Sequence, residues 1–116
     1  NCNNCNWCVP YKKGELEMDL SIKALERMGY KILSKAKKTQ NGPDLHIEKE
    51  GIIFRVEIKK ARKIKRSMAI HPVEHNRIHD DLICIEFPSG YVLIEPMKDH
   101  LENCAPNGSR SFFGIY

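Results

Sequence analysis

No apolar run in this 116-residue chain approaches the roughly 18 residues that a membrane-spanning helix needs, so no membrane partner is expected. The first ten residues are polar and cysteine-rich, with no apolar core of the kind a secretion signal carries. There is no internal repeat and no low-complexity tract. An even set of cysteines is also missing. Of the five, Cys2, Cys5 and Cys8 crowd together at C-x2-C-x2-C spacing, while Cys84 and Cys104 stand apart. Cysteines packed so tightly suit disulfide geometry poorly, so a disulfide framework fits badly and a reducing compartment with a metal site fits better. The expected location is therefore the cytoplasm, or the nucleus in a eukaryote.

What remains is an ordinary globular balance, 41% hydrophobic and 29% charged, with room for one domain and one modest core. The net charge is only +4, but six of the eight residues in 59–66 are Lys or Arg. Such a cluster suits a polyanion, although a solvated basic face has the same composition.

Local pattern places most elements. Residues 15–28 have helical periodicity and end at Gly29, a natural helix stop. Residues 31–36 read as a short strand and 37–43 as a polar loop closed by Asn41-Gly42-Pro43. Residues 44–48 and 52–59 read as two strands of a hairpin around Lys49-Glu50-Gly51. Leu82-Ile83-Cys84-Ile85 is continuously apolar, as in a strand buried on both faces. Pro88-Ser89-Gly90 turns the chain into a further strand over 91–94, and 97–103 suit a late helix. A short helix within 72–79 is expected; the last residues show no pattern.

The second hairpin strand alternates, so Glu57 and Lys59 project from one face, opposite to Phe54, Val56 and Ile58. Asp44 opens the partner strand. If the two strands pair through the short turn, both acids reach one point. Two carboxylates, water and a phosphate are the ligand set of Mg²⁺, and a neighbouring lysine can orient or activate the attacking water. Taken singly, Asp44 also suits a turn cap, and Glu57 with Lys59 a solvated charge ladder. In the first helix, Leu16, Met18, Leu20, Ile22, Ala24, Leu25 and Met28 spread over one apolar arc. Glu17 falls near its middle, where an unpaired carboxylate is expensive; a metal above the sheet, or Arg55, would answer it.

Gly42-Pro43-Asp44, followed thirteen positions on by Glu57-Ile58-Lys59, resembles the motif of the PD-(D/E)xK nuclease superfamily. The helical Gly14-Glu15-Leu16-Glu17, with Leu25 and Gly29-Tyr30 downstream, is similar to that superfamily's first helix. The layout resembles archaeal Holliday-junction resolvases and small restriction-type endonucleases over about residues 14–95. The resemblance implies an α/β fold, a restriction-endonuclease-like mixed β-sheet flanked by helices, as the nuclease domain over residues 14–116; the N-terminal cysteine-rich cap over residues 1–13 is a departure from that superfamily's minimal fold. The resemblance also implies a Mg²⁺- or Mn²⁺-dependent endonuclease that hydrolyses DNA phosphodiesters, on branched or structured DNA among other substrates. Its catalytic residues are Glu17, Asp44, Glu57 and Lys59, with the three acids holding the metal. No glutamine of the kind some members carry follows Lys59; Ser67 is a weak substitute.

Lys60, Arg62, Lys63, Lys65 and Arg66 leave the site strand directly and are expected to meet DNA phosphates. A homodimer is expected, because one small site cuts one strand; no small-molecule cofactor is. Cys2, Cys5 and Cys8, with Cys104 or His100 as fourth ligand, form a strong metal signal for structural Zn²⁺, with an iron–sulfur cluster as the alternative. His71, His75 and His79 would share a helix face, but read as surface histidines; His46 reads as a plain polar position. The rival functions are a non-catalytic DNA-binding module and a zinc-ribbon-like interaction domain.

Overall fold

The chain's structure, a computed structural model, describes residues 18–36 and 42–113. The cap cysteines Cys2, Cys5 and Cys8, together with Glu17, lie outside the described residues. Helix α1 covers Asp19–Arg27 and ends as its sequence requires. Gly29 adopts φ +93°, its N–H reaches the Glu26 carbonyl at 3.0 Å, and the Tyr30 N–H reaches the Leu25 carbonyl at 3.1 Å. These are the two bonds of a Schellman stop, which a residue with a Cβ closes only under strain.

Strands β1 (Lys31–Lys35), β2 (Leu45–Lys49) and β3 (Ile52–Lys60) follow as an antiparallel meander. The β2–β3 turn is two residues long, with φ +54° at Glu50 and +82° at Gly51, the backbone twist that matches flanking strands. After β4 (Arg62–Ile64), β5 (Ser67–Ile70) and a single 3-10 turn at His75–Arg77 comes β6 (Leu82–Glu86), parallel to β3. Strand β7 (Val92–Pro96) returns antiparallel, α2 spans Met97–Glu102, and β8 covers Arg110–Phe112. The described residues thus form a mixed five-stranded sheet, β1-β2-β3-β6-β7, and a three-stranded antiparallel sheet, β4-β5-β8. No described helix is long and apolar enough to cross a membrane.

Two buried clusters hold these layers. One joins α1 to the large sheet through Met18, Leu25, Leu45, Ile47, Val56 and Cys84. The other, built from Ile70, Ile83, Ile85, Phe87, Met97 and Phe112, fills the space between the opposite face, α2 and the small sheet. Strand β6 serves both, which is why its sequence is apolar without alternation. Cys84 is a core thiol, pushed up to about 12 by burial first and then by the Glu86 carboxylate.

Two expectations need correction. Leu20 and Met28, assigned to the apolar arc of the first helix, are exposed, and Ser21 is buried instead. The reason is polar: the Ser21 N–H and hydroxyl both donate to Glu86 Oε2, at 3.0 and 2.6 Å, so the sheet itself anchors the start of the helix. And the segment 62–70, with residues 110–112, forms a second sheet that local pattern does not announce.

Candidate active site

The β2–β3 register pairs Leu45 with Val56, so Asp44, one residue earlier, falls opposite Glu57, one residue later. Directly opposed residues share a face. Asp44 is anchored from below: its Oδ2 accepts the Ile58 N–H at 2.8 Å. The same register turns its carboxyl toward that of Glu57, and the two interact closely enough for Asp44 to raise the Glu57 pKa. Glu57 is the buried partner, at 6% exposure. Its pKa is raised from 4.5 to about 8, first by burial, then by the Asp44 hydrogen bond and charge; Lys59, two residues along the same face, pulls the other way.

Behind this pair lies an acid that sequence reasoning missed. Asp80 sits just before β6, buried, with Oδ1 3.7 Å from Arg77 Nη1. Burial raises its pKa, opposed by Arg77 and Arg55 and reinforced by Asp44 and Asp81. The signal in sequence was the acidic pair Asp80-Asp81 opening an apolar run, much as Asp44 opens β2. Arg55 is engaged with this segment: its N–H donates to Asp81 Oδ2 at 2.8 Å and its guanidinium to the His79 carbonyl.

The other expected site residues are distributed as follows. Lys60 turns to the opposite face and pairs with Glu86 at 3.1 Å. Lys63, Lys65 and Arg66 are exposed and Arg62 is half-buried, with Lys65 at φ +56° in the β4–β5 turn. His71, His75 and His79 are all exposed, and one 3-10 turn does not align them on a helix face. His46 Nδ1 lies 3.1 Å from Ser34 Oγ. Cys104 Sγ lies 3.4 Å from His100 Nε2. His100 is fully buried, and Arg110 donates to its Nδ1 at 3.1 Å and to Glu95. Its pKa is lowered, chiefly by burial and then by Arg110.

The fold has a solved counterpart. It is similar to the bacterial homing endonuclease I-Ssp6803I, with a TM-score of 0.67 and 14% sequence identity over 84% of this chain and 70% of that one. At that identity the likeness speaks to the fold alone. No family model matches the chain, and no curated protein matches it.

The acid pair suits a divalent ion. Two facing carboxyls, one of which holds its proton well above the usual range, are a site where a hard cation can take the proton's place. Among the described residues, no three His, Cys, Asp or Glu side chains gather closely enough to hold an ion by themselves. Water or a further ligand must complete the shell.

A pH dependence follows for the metal-free protein. Glu57 binds its proton more tightly folded (about 8) than at its ordinary 4.5, so its contribution is fully present below pH 4.5 and is lost as pH rises through 8. Asp80, also raised, acts in the same direction. His100, lowered from 6.5, acts oppositely, but its change is complete by about pH 7. Thermal melts in EDTA should therefore show Tm falling from about pH 7 to about pH 8 and levelling off above. A Tm that is flat or rising between about pH 7 and pH 8 contradicts the raised Glu57 pKa.

Proposed function

We propose that this chain is a divalent-metal-dependent endonuclease that hydrolyses DNA phosphodiester bonds. What carries the reading is the facing of Asp44 and Glu57 across β2 and β3, with Lys59 on the same face, on a fold similar to that of a homing endonuclease. Asp44 and Glu57 hold Mg²⁺ or Mn²⁺, and Glu17, just upstream of α1, is the third acid of the set implied by the PD-(D/E)xK resemblance.

The bound ion supplies Lewis-acid polarisation of the scissile phosphoryl group and acidifies water. The chain's own residues do the rest. The Ile58 N–H fixes Asp44 so that its carboxyl stays turned to Glu57. Lys59, on the same face as Glu57, orients the attacking water and offsets negative charge as it builds on the phosphate. Arg62, Lys63, Lys65 and Arg66, on the hairpin that follows β3, bind the flanking phosphates and give affinity that falls with salt. A second copy supplies the cut on the other strand. Cys2, Cys5 and Cys8, with Cys104 or His100, hold structural Zn²⁺ or an iron–sulfur cluster apart from this chemistry.

The test is a nicking assay on supercoiled, branched and single-stranded DNA with Mg²⁺ or Mn²⁺. Wild type is expected to cut at least one of these substrates metal-dependently and to stop in EDTA, and Asp44→Ala to fall to background. A wild-type protein that cuts none of them in either metal ends the enzyme reading.

A further inference from the structure

The Asp80 side chain is 2% exposed, yet its Oδ2 has no hydrogen-bond partner. Its other oxygen, 3.7 Å from Arg77 Nη1, is beyond hydrogen-bond reach of that cation. A buried carboxylate left in this state is costly, and native structures rarely keep one without a reason. The backbone holds it there firmly. The Asp80 N–H donates to the Arg77 carbonyl at 3.0 Å, and the next residue is locked to β3 by the Asp81 N–H on the Arg55 carbonyl at 2.9 Å. Because β6 runs parallel to β3, this lock at Arg55 lies two residues upstream of Glu57 on the neighbouring strand. Asp80 also lines a cleft of about 550 Å³ between the His79–Asp81 segment and the start of α2.

We propose that Asp80 is a positioning acid of the divalent-ion site, its free oxygen accepting hydrogen bonds from water bound to the ion that Asp44 and Glu57 hold. The proposal rests on the metal-site reading of the preceding subsection. Mg²⁺ dehydrates reluctantly and keeps several of its waters, so an acid set back from the ion still acts on it through them. That set-back fits the absence, among the described residues, of three acids close enough to ligate one ion together. The charge of Asp44 reaches Asp80, and that of Asp80 reaches Glu57, an arrangement that is repulsive without a cation. Outer groups of this kind set ligand orientation and ion affinity rather than touching substrate.

The experiment measures Mn²⁺ binding by electron paramagnetic resonance, without DNA, on wild type, Asp80→Asn and Asp80→Ala, with a metal-free melt of each. Expected is binding weaker by about tenfold or more in both variants, with metal-free Tm equal to or above that of wild type, because a repulsive buried charge has gone. The two variants together keep the result from hanging on one folded protein. Wild-type affinity in a folded variant overturns the role of Asp80 and leaves the Asp44–Glu57 site standing. A metal-free Tm that drops sharply in both variants marks Asp80 as a structural partner of Arg77 and overturns the proposal likewise. Failure of wild type itself to bind Mn²⁺ defeats the metal-site reading, and this proposal with it.

Discussion

Glu57→Gln removes nearly all metal-dependent cleavage while leaving the metal-free protein more stable than wild type at about pH 8 and above. Glutamine keeps the shape of the side chain, and its amide can donate to the Asp44 carboxylate, so the pairing across β2 and β3 survives. What disappears is charge. A neutral amide is a poor ligand for a hard cation, and the several kcal/mol of stabilisation that the ion supplies go with it. At about 1.4 kcal/mol per tenfold, the rate falls by about a thousandfold. The stability effect has the opposite sign, because wild type must ionise a buried carboxyl as pH passes about 8 and the variant has nothing to ionise. Opposite signs matter: a variant that is merely misfolded loses both. Full cleavage by Glu57→Gln, or melts that fall with pH as steeply as in wild type, would contradict the assignment.

The second large effect is structural. Phe87→Ala is expected to destabilise the protein by about 3–5 kcal/mol, a third or more of what a small domain commonly has if its total lies near the middle of about 5–15 kcal/mol. The ring is buried at the end of β6. It meets Phe112 of β8 edge-to-face, with centroids 5.1 Å apart at 87°, and Tyr91 at 5.8 Å. The Phe112 contact joins the large sheet, which carries the acids, to the small sheet, which carries Arg62, Lys63, Lys65 and Arg66. The cavity left by alanine therefore lies in the seam between chemistry and the proposed DNA-binding face. Urea unfolding gives the stability change directly; a midpoint close to wild type would show that the seam does not depend on this ring.

Part of this arrangement is legible in the chain itself, and the legible part is local. Alternation through Ile52–Lys60 and the Glu50-Gly51 turn are enough to draw the β2–β3 hairpin, and a hairpin's register follows from its turn. Once that register is set, Asp44 and Glu57 must face each other. The Gly29 stop of α1 and the two-sided burial of β6 are similarly written in neighbouring residues. By contrast, β4, β5 and β8 are three or four residues each, too short for a period to show, and β5 finds β8 some forty positions away.

By itself, then, the sequence determined the helix stop, the hairpin and the candidate pairing of two acids, because each depends on dihedral preferences and side-chain alternation over a few residues. Only the tertiary structure decided which residues stand around that pair. Asp80 comes near Glu57 because β6 lies parallel to β3, a crossover pairing that no local pattern encodes. Ser21 is buried, while Leu20 is not, because Glu86, far along the chain, reaches the start of α1. Burial and long-range charge are properties of packing, and it is packing that turns an ordinary glutamate into one that keeps its proton to about pH 8.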